Sequence, residues 1–153
     1  MAHILIVDDD EIVAEMAADT LISAGHACGW VTSGESALKL LRFRRPDMIL
    51  LDQDMPGMSG AQVLRKLRTS QKLYDMPVVM FTAVTGSEDE DQAIYAGAQD
   101  YIRKPFEPEF LKLAVSKLLK KRDGREKHLD LIKLLEQSSG MAPEIEHNYK
   151  RAV

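Results

Sequence analysis

Ile4-Leu5-Ile6-Val7-Asp8-Asp9-Asp10 and, further along, Met48-Ile49-Leu50-Leu51-Asp52-Gln53-Asp54 follow one plan: four apolar residues that end in acids. Apolar runs this short and continuous suit strands of a parallel sheet that is covered by helices on both faces. Working outward, the β-prone runs 3–7, 27–31, 47–51, 77–81 and 100–102 alternate with amphipathic runs at 11–23, 36–44, 61–69, about 88–96 and about 109–121. Gly25, Pro46, Gly97 and Pro108 punctuate them. With right-handed crossovers, this βα alternation predicts an α/β fold, a doubly wound five-stranded parallel sheet. In such folds ligands bind beyond the carboxyl ends of the strands, where the strand order reverses.

The alternation stops near Arg122. We read 1–122 as one domain, 123–138 as an extra C-terminal helix and 139–153 as a polar, flexible tail. Leu129, Ile132 and Leu135, flanked by Leu131 and Leu134, give 125–137 an apolar face that can pack on its own domain or pair with a second copy as a homodimer. The 31 residues after Arg122 leave no room there for a DNA-binding or catalytic output domain.

Composition narrows the function. Of the 153 residues, 45% are hydrophobic and 29% charged, as in a folded globular chain. The net charge of -4 argues against capture of nucleic acid by the body of the protein. Cys28 is the single cysteine, which excludes an internal disulfide and a thiolate zinc site, and the four histidines lack metal-ligand spacing. No apolar run approaches the roughly 20 residues of a membrane span, so the expected location is the cytoplasm.

The chemistry lies at the strand ends. Asp8, Asp9 and Asp10 alone are open to a plainer reading, an N-cap with a favourable charge on the helix dipole. Asp52 at the tip of a second strand changes that. If the two strands are neighbours, Asp8, Asp9 and Asp52 converge, and like charges so close resist ionisation unless a cation lies among them. Oxygen donors alone, few and with room for water, favour Mg²⁺. Thr82 ends the fourth strand and Lys104 follows the fifth. A cation, a carboxylate, an ammonium and a hydroxyl around one point are what phosphoryl transfer requires.

Ile-Val-Asp-Asp-Asp at 6–10, Leu-Leu-Asp-Gln-Asp-Met-Pro-Gly-Met-Ser-Gly at 50–60, Phe-Thr-Ala at 81–83 and Tyr-Ile-Arg-Lys-Pro-Phe at 101–106 together resemble the receiver domains of two-component response regulators. The resemblance covers 1–122, and the separations of 43, 30 and 22 residues along Asp9, Asp52, Thr82 and Lys104 agree with it. It implies a flavodoxin-like (βα)5 fold of the single-domain, chemotaxis-regulator kind. It implies that Asp52 accepts a phosphoryl group from a histidine kinase or a histidine phosphotransfer protein. Asp9 and Asp52 would ligate Mg²⁺ directly, Asp54 through its main-chain carbonyl and Asp8 through water. Lys104 and the Thr82 hydroxyl would bond the phosphoryl oxygens. Tyr101 would then turn inward, altering the face of the fourth helix, fifth strand and fifth helix that controls a downstream protein. The Lys104–Pro105 bond would be cis. Asp54 and Val84 depart from the commonest family pattern and are expected to tune hydrolysis. The chain would be a signalling protein that catalyses only its own phosphorylation and dephosphorylation. An alternative is a small Mg-dependent phosphatase, because Asp52-Gln53-Asp54 also resembles the Asp-x-Asp of haloacid-dehalogenase-type enzymes.

Overall fold

A computed structural model describes residues 1–83 and 97–121. Val84, the expected fourth helix at 88–96, the helix at 123–138 and the tail at 139–153 lie outside the described residues. The elements are β1 (His3–Val7), α1 (Glu11–Ser23), β2 (Ala27–Val31), α2 (Gly34–Leu40), β3 (Met48–Asp52), α3 (Gly60–Thr69), β4 (Val78–Thr82) and β5 (Asp100–Arg103). A helical run over 108–121 follows. By contacts the chain divides into Met1–Ala114, which holds the sheet, and Val115–Val153, of which 115–121 continues that helical run.

The five strands are all parallel, in the order β2-β1-β3-β4-β5. The chain leaves β1 toward one edge and returns on its other side, so the order reverses between β1 and β3. Hydrophobicity dictates this placement: every residue of β3 is buried, as are Ile4–Val7 in β1 and Val78–Phe81 in β4, whereas β2 and β5 take the half-covered edges. Leu5, Val7, Ile49, Leu51, Val78 and Met80 share one face with Ala37 of α2, Leu41 at its C-cap, and Val63, Leu64 and Leu67 of α3. Because Val7 pairs with Leu51, the next residues, Asp8 and Asp52, come side by side at the carboxyl ends of β1 and β3.

The structure moves several boundaries. The third and fourth strands run one residue later than 47–51 and 77–81, so Asp52 and Thr82 belong to the sheet. Asp47 instead exchanges bonds with His3, its N–H donating to the His3 carbonyl and its carboxylate accepting from the His3 N–H, each at 2.7 Å. The second helix begins at Gly34, not at 36, because Ser33 is the cap: its hydroxyl accepts from the Ser36 N–H at 3.1 Å. It ends at Leu40, not at 44, where Arg42 and Phe43 bond the carbonyls three residues back and tighten the last turn.

Two ties fix α3, one at each end of the sheet. Ser59 and Gln62 form a capping box at the start of α3, and Gln53 reaches over it, its carbonyl accepting from Gly60 N–H and its side chain from Ala61 N–H. Gly60 is forced by this approach: a Cβ there would lie 2.3 Å from the Asp52 carbonyl oxygen and 2.9 Å from Gln53 Cα. At the other end of the sheet the Arg68 guanidinium bonds the carbonyls of Gly97, Tyr74 and Met76 and the Gln99 side chain, joining α3 to the starts of β4 and β5.

Gly60→Ala must push the end of β3 away from α3. We predict a loss of about 1–3 kcal/mol, the cost of overpacking a closed site, measured from the urea midpoint. An unchanged midpoint would show that the contact yields without strain.

Candidate phosphoacceptor site

Three carboxylates meet at the carboxyl ends of β1 and β3. Asp8 is fully buried, Asp52 is 4% exposed and Asp9 is exposed, and one oxygen from each lies within 4.8 Å of the others. The run of three aspartates divides its labour. Asp10 is the N-cap of α1, its side chain accepting from Ile12 N–H at 3.0 Å and Val13 N–H at 3.3 Å. The plain capping reading therefore consumes Asp10 alone and leaves Asp8 and Asp9 to the cluster. Asp8 is held hard, Oδ1 accepting from Asp10 N–H at 2.9 Å and Oδ2 from the Lys104 ammonium.

Lys104 also lies 3.4 Å from Asp52 Oδ1, which makes it the counter-ion of both buried acids. Its Nζ sits 5.0 Å from the centre of the Phe81 ring, and Phe106 packs on that ring at 5.3 Å between centroids. A cation over an aromatic face is stabilised where water is scarce. The chain turns sharply beside it, through a cis Lys104–Pro105 bond.

Charge balance is incomplete. Loss of hydration pushes the Asp52 carboxyl up to about 7; the Lys104 charge pulls it back, while the Asp8 charge and a hydrogen bond with Asp9 raise it further. The donor set is oxygen only and close-packed, three carboxylates against the one ammonium of Lys104. That combination fits a hard divalent cation.

The remaining expected residues are placed unevenly. Thr82 closes β4 in register with Arg103, which sets its backbone at the same edge, one residue from Lys104 along the neighbouring strand. Tyr101 is half-buried in β5, opposite Met80, and packs against the core. Asp54 is exposed in the loop after β3, and its carboxylate is not part of the cluster. Val84 lies outside the described residues. Sequence reasoning missed the cradle of Lys104, although Phe81 and Phe106 both fall within the quoted motifs; it also missed Gln53 and Gly60, whose signal was a glycine at the first turn of a helix. Cys28 adds no competing nucleophile, since burial pushes its thiol up to about 11.

Comparison with known proteins agrees with this geometry. A family model described as the response regulator receiver domain matches residues 4–116. The chain is 37% identical over 118 residues to the phosphate regulon transcriptional regulatory protein PhoB of Pseudomonas aeruginosa, covering 77% of this chain and 52% of that protein. It is 41% identical over 121 residues to the DNA-binding response regulator MtrA of Mycobacterium tuberculosis, covering 79% and 52%. The chain thus spans about half the length of these relatives. Among solved structures, the chemotaxis response regulator CheY4 of Vibrio cholerae superposes with a TM-score of 0.72 at 31% identity, over 76% of this chain and 98% of that one. The receiver domain of the Francisella response regulator 1452 gives 0.74 at 27%, over 80% and 99%.

The raised Asp52 carboxyl has a definite sign. Between an unfolded value near 3.8 and a folded value of about 7, the folded chain holds the extra proton. Stability from this group therefore falls as pH rises through that window and stays lost above it. In chelator at pH 8, Asp52→Asn should stabilise the chain by on the order of 1–3 kcal/mol, with the gain gone near pH 4. Thermal melts of both proteins across that range measure it. A variant less stable than the parent at pH 8 would contradict the assignment.

Proposed function

The chain belongs to the response regulator receiver domain family, and on that premise we propose that Asp52 accepts a phosphoryl group from the phosphohistidine of a histidine kinase or a histidine phosphotransfer protein, in a Mg²⁺-dependent reaction. The observation that carries the choice is the unequal standing of the three acids. Asp8 has both oxygens committed, to Asp10 N–H and to Lys104, and Asp9 is exposed. Asp52 alone combines burial with an ammonium at 3.4 Å and no tight bond that fixes it as a counter-ion.

In the step, a carboxylate oxygen of Asp52 attacks phosphorus in line and a mixed anhydride forms. The phosphorus–nitrogen bond to the donor imidazole breaks, and the electron pair leaves on nitrogen, which takes a proton from solvent. Lys104, already beside Asp52, pairs with the oxygens whose charge grows in the transition state. The Thr82 hydroxyl bonds another of them. Bound Mg²⁺ would neutralise the remaining charge; Asp9 and Asp52 would hold it directly, Asp54 by its main-chain carbonyl and Asp8 through water. Asp54 and Val84, each two residues beyond a reacting position in the sequence, set the lifetime of the anhydride. The chain catalyses its own phosphorylation and dephosphorylation and nothing else.

Output follows from the same residues. When Thr82 is drawn to the phosphoryl group, Tyr101 turns inward and the face of the fourth helix, β5 and the fifth helix changes toward a downstream protein. The names of PhoB and MtrA speak of transcription and DNA binding by those proteins; here the chain's net charge of -4 favours a protein partner. A cytoplasmic location and pairing through 125–137 belong to the same proposal, and no helix among the described residues is long and apolar enough to cross a membrane. The phosphatase alternative gains no support from the matches, which are to receivers and response regulators.

Intact-mass measurement after incubation with a small phosphodonor and Mg²⁺ tests the assignment. The parent should gain one phosphoryl group. The gain should vanish in Asp52→Asn and in chelator, and should fall at least about a hundredfold in rate in Lys104→Met, the scale for losing one preorganised charge at the reacting group. Full uptake by Asp52→Asn would overturn it.

A further inference from the structure

Lys104 has to cross a strand to do its work. It follows β5, whereas the carboxylates that it meets stand at the ends of β3 and β1, and the strand order places β4 between β5 and both of them. Asp52 and Phe81 are register partners across β3 and β4, and Phe81 and Ile102 are partners across β4 and β5. Register partners in a parallel sheet carry their side chains on one face. Lys104 stands two residues beyond Ile102, and its ammonium lies 5.0 Å from the centre of the Phe81 ring, within the roughly 6 Å over which an aromatic face attracts a cation.

Nothing in the packing of β4 demands an aromatic residue at this place. Val78, Val79 and Met80 are buried as fully without one, and a leucine would fill the same interior. What the ring adds is a face of partial negative charge that carries no net charge. The two acids pull the ammonium unequally: Asp8 bonds it, and Asp52 Oδ1 lies at 3.4 Å. A lysine head on a flexible stem is free to settle wholly on the closer acid. The ring opposes that movement, and it does so without neutralising the charge that the reaction draws on. It is itself fixed, since Phe81 is fully buried and Phe106 packs on it at 5.3 Å with the planes tilted by 52°.

We infer that Phe81 is a positioning residue for phosphoryl transfer: the electron-rich face of its ring keeps the Lys104 ammonium beside Asp52, where charge grows on the phosphoryl oxygens, instead of on Asp8 alone. The inference rests on the reading of Asp52 as the phosphoacceptor. A group held in place before reaction costs no reorganisation when the charge develops, and a small misplacement of it slows the step.

The test weakens the ring's charge while keeping its shape. Phe81 is replaced in turn by mono-, tri- and pentafluorophenylalanine in the full chain, and uptake of phosphoryl from phosphoramidate with Mg²⁺, a transfer that releases ammonia, is followed by intact mass. The rate should fall stepwise with fluorination, by about tenfold at the last member, and by as much in Phe81→Leu. Repeated in Lys104→Met, the fluorinated series should leave the residual rate unchanged, because a ring that acts through the ammonium has nothing left to hold. In the metal-free parent, the ε-methylene protons of Lys104, assigned by their loss in Lys104→Met, should resonate upfield of those of the other lysines. A flat series in an active parent, an equal decline in Lys104→Met, or an ordinary Lys104 resonance would each overturn this inference and leave the acceptor assignment standing. A parent that takes up no phosphoryl group would overturn both.

Discussion

One ammonium serves two buried carboxylates at a point where a third carboxylate arrives, and the rest of the structure follows from that shortage of positive charge. Lys104 bonds Asp8 and lies 3.4 Å from Asp52, while Asp9 comes to the same point from solvent. Buried charges persist only when paired. Here the pairing is short by a charge, and the deficit appears as a proton on Asp52 near neutral pH. The proposed function answers that deficit with a divalent cation, which then lets the site accept a phosphoryl group.

The fold creates the shortage and holds it. The reversal of strand order puts β1 beside β3, and their shared register brings Asp8 and Asp52 together at the carboxyl ends of the two strands. Neither strand can slip to relieve the repulsion, since a one-residue shift would turn Leu5, Val7, Ile49 and Leu51 out of the core. Gln53 and Gly60 close the loop after Asp52 onto α3, and Phe81 and Phe106 wall the ammonium from water. Apolar packing thus does the electrostatic work of keeping like charges together.

Much of this was legible in the sequence, for a physical reason: strands covered on both faces must be apolar throughout, so an acid at the end of such a run marks where the sheet meets solvent. That logic found the five strands, the convergence of Asp8, Asp9 and Asp52, and the place of Lys104. It could not say which of Asp8, Asp9 and Asp10 caps α1, because the three side chains are chemically alike and only backbone direction selects Asp10. It placed the start of α2 at Ser36 because Ser33 and Ser36 are equally good caps in isolation. The cradle of Lys104 was hidden for a third reason: an aromatic residue beside a threonine reads as core filler until the strand pairing brings the ammonium over its ring.

The central claim is that the three carboxylates form one cation site whose charge state is coupled to Asp52. Calorimetric titration of the metal-free chain with Mg²⁺, repeated in buffers of different ionisation enthalpy, tests it most directly. The account predicts one ion per chain and a release of protons on binding that is larger at pH 6 than at pH 7 and absent at pH 9. Uptake with no proton release at pH 6, or no uptake at all, would contradict it.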